Sequence, residues 1–184
     1  FMFNTTSSSG ACNPDANLNP AVVGREAKWI AEQAGFNVPD GTILLGVYVK
    51  EIGSKEPMTK EKLSTVLAFI TSKSTQEGLF YAKQMVDFNG LGHSAAIHTE
   101  SKEIADEFAL MVKAIRVIWN SPSTFGGIGN VYNAFIPSLT LGCGSYGHNS
   151  VSNNVSAINL LNIKRLGRRN NNMQWFKIPS KIYF

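Results

Sequence analysis

The chain has 184 residues, 43% of them hydrophobic and 16% charged, which is room for one domain with a sizeable core and the balance of a globular rather than a disordered protein. Its apolar runs, such as residues 65–71 and 115–119, fall far short of the roughly 20 residues a membrane helix needs, and no basic stretch followed by an apolar one opens it. Neither a membrane partner nor a signal peptide is expected. Part of the formal charge of +4 is gathered at Lys164-Arg165-Leu166-Gly167-Arg168-Arg169. No aromatic residues are interleaved there and no RRM, KH or zinc-finger pattern occurs, so the cluster reads as a solvated basic turn or a surface facing phosphate groups, and no nucleic acid is expected.

The opening Phe1-Met2-Phe3 places methionine second, which reads as an internal cut. Asn19 then caps a predicted helix, with Pro20 at its first position and Gly35 ending it; Val23, Ala27, Ile30 and Ala34 recur on one apolar face. Pro39-Asp40-Gly41 is a turn, and residues 42–49 are rich enough in branched and aromatic side chains for a strand. Residues 65–71 (TVLAFIT) form a nearly continuous apolar run, as expected of a strand buried on both faces. Ser74 caps a helix running to about residue 88, with Leu79, Ala82 and Val86 on one side. A strand over 93–99, a helix capped by Ser101 with Ile104, Phe108, Met111 and Val112 buried, and a strand over 115–119 come next. Strand, helix, strand, helix and strand with short connections specify parallel pairing through right-handed crossovers, hence an α/β fold.

After Asn120 the character changes. Residues 121–147 are rich in Gly, Ser, Thr and Pro, with two glycine-dense segments at 125–129 and 141–145. Neither is a Walker A loop nor a GxGxxG between strand and helix. They read either as tight turns or as places where the backbone approaches a ligand closely, beyond the carboxyl ends of the parallel strands. The aromatic-rich tail 170–184 is expected to dock on another part of the protein.

His93 follows Gly90-Leu91-Gly92 and opens a predicted strand; an imidazole at that point suits an acid or base, or a structural role. His98 and His148 lack the spacing of metal ligands, and no metal is expected. The two cysteines, Cys12 and Cys143, make neither a disulfide framework nor a CxxC pattern and fit a reduced, cytoplasmic protein. No helix start, cation or base is evident beside either to make it a nucleophile. Glu61 reads as a solvated carboxylate between Lys60 and Lys62, or as one that accepts hydrogen bonds from a ribose.

These residues, in this order, resemble the bifunctional aldehyde–alcohol dehydrogenases. The matching stretches are Leu18-Asn19-Pro20-Ala21-Val22-Val23-Gly24, Glu56-Pro57 with Glu61-Lys62-Leu63-Ser64, Gly90-Leu91-Gly92-His93, and Asn120-Ser121-Pro122 with Gly126-Gly127-Ile128-Gly129. They continue with Leu139-Thr140-Leu141-Gly142-Cys143-Gly144-Ser145, Asn149-Ser150, and the end Trp175-Phe176, Ile178-Pro179 and Lys181-Ile182-Tyr183-Phe184. The resemblance implies the C-terminal part of the family's CoA-acylating acetaldehyde dehydrogenase half, a three-layer αβα catalytic domain with a largely parallel sheet. It would interconvert acetyl-CoA and acetaldehyde with NAD(H), on the way to ethanol. The organisation it implies is a variable segment over 1–16, a partial catalytic domain over 17–169, and over 170–184 a linker into the iron-dependent alcohol dehydrogenase half, which alone would hold iron.

In the family the nucleophilic cysteine and the nucleotide-binding half lie upstream of Leu18, so the isolated chain is expected to be inactive, and Cys143 matches a loop cysteine that is not the nucleophile. By resemblance His93 is an acid/base or a partner of the CoA thiol, Glu61 holds the nicotinamide ribose, Leu63 packs near the ring, and Leu141 and Gly142 belong to the cofactor-contacting glycine loop. Dimers or filaments are implied for the whole protein, and a non-catalytic assembly domain is the rival reading. Thr65 stands where the family usually has proline, Tyr146-Gly147-His148 replaces the commoner Trp-Gly-Gly, and residues 1–16 show no recognisable counterpart.

Overall fold

A computed structural model describes residues 1–4, 17–139 and 142–168. Two compact units divide the chain, residues 1–154 and 155–184. In the first, strand β1 (Phe3–Asn4) pairs antiparallel with β2 (Asn17–Leu18), and Asn19 acts as a cap, its side chain accepting from the Ala21 amide at 3.0 Å. That cap starts only a 3-10 turn, Pro20–Val22, because the chain breaks at Gly24 (φ +69°), whose amide bonds the Leu63 carbonyl at 2.8 Å. Helix α1 (Ala27–Gln33) begins anew after Glu26, and Gly35 beyond its end lies in the left-handed region. The expected face of Val23, Ala27, Ile30 and Ala34 is therefore corrected: the break rotates it, so that Val22, Ala27, Ile30 and Ala31 are buried while Val23 is exposed.

Strand β3 (Leu45–Tyr48) pairs in parallel with β4 (Val66–Phe69), and β5 (Ser94–Ile97) pairs in parallel with β6 (Arg116–Trp119). The parallel pairing expected of the strand–helix pattern is present, but as two separate two-stranded sheets: β4 and β5 are not neighbours. The expectation of a strand buried on both faces at 65–71 is also overturned. Val66 is buried, whereas Leu67 and Phe69 are exposed, because among the described residues β4 has β3 alone beside it, and Phe69 lies against Tyr48 at 5.8 Å between ring centroids.

Helices α2 (Thr75–Asn89) and α3 (Lys102–Met111) start where their serines place them. Ser74 Oγ accepts from the Glu77 amide and Ser101 Oγ from the Ile104 amide, each at 3.2 Å, satisfying amides that the first turn leaves open. Leu79, Phe108 and Val112 form a core cluster, with Ala82, Val86, Ala95, Ile97 and Val117 packed on it. Alternation along the strands then turns Ile118, Ser94 and Arg116 to the opposite face. There lies α4 (Ser123–Ile128), a helix that the glycine-rich composition had concealed. A Cβ on Gly126 would stand 2.6 Å from Ile118 Cγ2, and one on Gly127 would stand 2.9 Å from Ser94 Oγ. The glycines are there to let the helix lie against the sheet. Helices α2 and α3 on one face and α4 on the other make three layers around β5 and β6. In the second unit, a 3-10 turn over Ala157–Leu160 is held by a capping box between Ser156 and Asn159. Among the described residues no helix is long and apolar enough to cross a membrane.

Candidate active site

Two adjoining hollows, of about 410 and about 290 Å³, lie at the amino-terminal ends of β5 and β6. Glu61, Asn89, Gly90 and His93 line both. The larger is completed by Ser94, Arg116, Ser123, Thr124 and Gly127, among others, and the smaller by Gly142, Tyr146, Gly147 and His148. This corrects the expectation that the glycine loops sit beyond the carboxyl ends of the strands. The loop at 142–147 docks instead on the turn before β5, where the Cys143 amide donates to the Gly92 carbonyl at 2.9 Å.

That docking is a contact of backbone on backbone. Gly92 has φ +76°, and a Cβ on it would stand 2.7 Å from the Cys143 carbonyl oxygen and 2.7 Å from the Gly147 nitrogen. A side chain at Gly147 would run into Gly142. Only residues without a Cβ reach this spacing, so the glycine-rich loop serves close approach at this point rather than turning alone. The approach brings Gly142 to His93, whose Nε2 lies 3.9 Å from the place a Cβ on Gly142 would take. His93 is half-buried; its amide bonds the Gly90 carbonyl at 3.2 Å, and its carbonyl accepts from Ile115 at 3.0 Å.

Glu61 arrives from a different segment. Thr59 Oγ1 donates to the Glu56 carbonyl at 2.7 Å, and buried Lys62 turns back to donate to the carbonyls of Met58 and Lys60 at 2.7 and 2.9 Å. Burial holds the Lys62 ammonium below its usual pKa. From α2, Asn89 Oδ1 accepts the Glu61 amide at 2.8 Å. Leu63, with φ +45°, lies exposed and lines neither hollow. Leu141 lies outside the described residues, as do Cys12 and the tail 170–184. Thus Glu61, His93 and Gly142 line the smaller hollow together, and Leu63 does not join them there.

Residue-pattern reasoning missed Arg116, Asn89, Ser94 and Ser123. Arg116 donates to the carbonyls of Gly127 at 2.6 Å, Ile128 at 3.0 Å and Ile136 at 2.9 Å, and its guanidinium lies over the Phe135 ring. It clamps the wall of the larger hollow through these carbonyl acceptors. The one available signal was a lone arginine in an otherwise apolar strand. Cys143, expected in a polar loop, is instead buried at 3% exposure, because the docked loop covers it. In the smaller hollow, Asp87 accepts a hydrogen bond from Lys83 and forms an ion pair with Lys113 at 3.3 Å; Lys83 first and Lys113 with it hold the carboxyl below its usual pKa, against the opposing effect of burial. Among the described residues, no three His, Cys, Asp or Glu side chains gather as a metal site would require.

No protein-family model matches the chain. It is 64% identical over all 184 residues, including 1–16, to an aldehyde-alcohol dehydrogenase of Streptococcus pneumoniae, and spans 21% of that protein's length. Among solved structures, a probable aldehyde dehydrogenase of Listeria monocytogenes superposes with a TM-score of 0.78 at 37% identity, over 90% of this chain and 36% of that one. An acetylating aldehyde dehydrogenase of Geobacillus thermoglucosidasius superposes with a TM-score of 0.72 at 34% identity, over 83% of this chain and 35% of that one. The α/β fold is thus shared with acetylating aldehyde dehydrogenases, and the chain matches, end to end, the N-terminal acetaldehyde dehydrogenase region of the AdhE-type aldehyde–alcohol dehydrogenase family.

Proposed function

We propose that this chain supplies one wall of the active site of an NAD-dependent, CoA-acylating acetaldehyde dehydrogenase, which reduces acetyl-CoA to acetaldehyde within a bifunctional aldehyde–alcohol dehydrogenase of the cytoplasm. The observation that carries the reading is the convergence of Glu61 and His93, from segments far apart in the chain, on the same pair of hollows beside Gly142. A carboxylate at the rim and a side-chain-free backbone behind it suit a nucleotide ribose and a flat ring, so the residues present fit the cofactor. NADH, when bound, supplies a hydride. Glu61 would accept hydrogen bonds from its ribose, and Gly142 would leave room for it to approach. His93 would hold or deliver a proton at Nε2, serving the carbonyl oxygen or the departing CoA thiol.

The nucleophilic thiolate comes in this reading from outside this stretch, since Cys143 is buried and its loop is closed on Gly92. The isolated chain is accordingly inactive, residues 170–184 serve as the linker to the alcohol dehydrogenase half, and iron belongs to that half. The test is NADH oxidation with acetyl-CoA by the full-length enzyme carrying this stretch, beside the 184-residue chain alone. Turnover by the full-length enzyme only, with His93→Ala lowering kcat by about 10²–10⁴, supports the reading. Turnover by the chain alone would place the nucleophile within it and overturn the assignment. Full activity of His93→Ala and Glu61→Ala with altered oligomer size would favour an assembly role instead.

A further inference from the structure

One corner of the fold touches both proposed site residues. Helix α2 ends at Asn89, and Gly90 stands next as its cap. The Asn89 side chain accepts the backbone amide of Glu61 at 2.8 Å, across 28 residues of sequence. The next carbonyl, that of Gly90, accepts the amide of His93 at 3.2 Å. The helix end is itself anchored, since the Gly90 amide donates to Val86 and Leu79 on the same helix lies in the core. On the other side, Lys62 closes the loop beneath Glu61 onto Met58 and Lys60, so that segment is a compact unit that meets α2 through the Asn89 hydrogen bond and through the Lys60 ammonium over the Phe88 ring. Asn89 and Gly90 also line both hollows.

We infer that Asn89 is a positioning residue: through the Glu61 amide it sets where the Glu61 carboxylate stands relative to His93, and thereby the affinity for the dinucleotide. The inference rests on the assignment of Glu61 to the cofactor ribose. The chemistry favours Asn89 for this task. A carboxamide oxygen accepts a backbone N–H without adding a charge beside the carboxylate it positions. A side chain in the first turn of its own helix would be drawn instead to that helix's open amides, whereas at the last residue it is available to a neighbouring segment.

The experiment is a fluorescence titration of NADH, alongside a separate titration of CoA, on the full-length enzyme carrying Asn89→Ala, Asn89→Asp, Glu61→Ala and the double variant Asn89→Ala/Glu61→Ala. Salt at about 0.5 M keeps the charge of the aspartate screened. Asn89→Ala is expected to weaken NADH about tenfold while CoA binding stays within about twofold, the loss of one hydrogen bond to a positioned group. Asn89→Asp keeps the acceptor oxygen and is expected to restore NADH binding to within about threefold. The double variant should bind no more weakly than Glu61→Ala, because both changes act through one group. Parental NADH binding by Asn89→Ala, with Glu61→Ala weakened, overturns the role of Asn89 and leaves that of Glu61. Parental binding by Glu61→Ala overturns the assignment of Glu61 and this inference with it. Additive losses, or losses of NADH and CoA together that Asn89→Asp does not restore, make Asn89 a structural residue only.

Discussion

Replacing Gly92 by alanine separates two things that a glycine can supply. The first is conformation: at φ +76° a residue with a Cβ is disfavoured by about 1 kcal/mol. The second is space: the new methyl carbon would meet the Cys143 oxygen and the Gly147 nitrogen at 2.7 Å, against the 3.4 Å at which ordinary contact begins. Both obstacles are backbone atoms, so neither can swing aside as a side chain does. Relief requires the 142–147 loop to withdraw, which breaks the 2.9 Å bond from the Cys143 amide to the Gly92 carbonyl and leaves a buried amide unsatisfied, at about 1–3 kcal/mol. The sum is a loss of about 2–4 kcal/mol. Gly24 is the natural control, with φ +69° and no atom within 4 Å of a Cβ, so that Gly24→Ala carries the conformational part alone, about 1 kcal/mol. Urea unfolding of the two variants beside the parent reads the difference: with a slope of about 2 kcal/mol per molar, Gly92→Ala shifts the midpoint by about 1–2 M and Gly24→Ala by about 0.5 M. On the proposed function, the same change in the full-length enzyme draws Gly142 away from His93 and is expected to lower acetyl-CoA-dependent NADH oxidation. Equal midpoint shifts for the two variants would refute the close approach of the loop to Gly92.

Two further outcomes are open to direct measurement. Arg116→Ala removes donors from three carbonyls and is expected to cost about 2–3 kcal/mol, whereas Arg116→Lys, which keeps the charge but not the planar fork, should cost an intermediate amount; an equal cost for both would mean the clamp is not made by the fork. Asp87 is held below its usual carboxyl pKa by Lys83 and Lys113, so its contribution is present above the unfolded value near 3.9 and is lost as pH falls through the lower folded value. Asp87→Asn should therefore flatten the acid limb of the stability profile below about pH 4, by no more than about 1 kcal/mol for a pair this exposed, and a change confined to alkaline pH would contradict it.

The features that local rules govern were legible in the amino acids. Ser74 and Ser101 start their helices as expected, since a cap is decided by its own hydroxyl and the amides three residues on. Long-range contacts decided the rest. Gly24 breaks the first helix because its amide is taken by Leu63, about forty residues away in the chain and invisible to periodicity. Gly126 and Gly127 look like turn residues until Ile118 and Ser94 are seen to occupy the space a Cβ would need. The run at 65–71 is apolar enough for burial on two faces, but a strand's composition does not say how many neighbours it has. His93 and Glu61 stood out as candidates in the residues themselves, and the family resemblance supplied their expected roles. Asn89 and Arg116 escaped notice because a polar residue at a helix end or in a strand looks like a solvated one until its acceptor or donor is located.

Each strand from β3 to β6 has a single partner among the described residues, so each keeps one unpaired edge. Backbone donors and acceptors along such an edge will take any extended segment that reaches them first. Right and wrong partners then differ mainly in arrival time, and the outcome depends on concentration and on the order in which segments emerge during synthesis. Covering those edges early is therefore what favours the right partner over a wrong one.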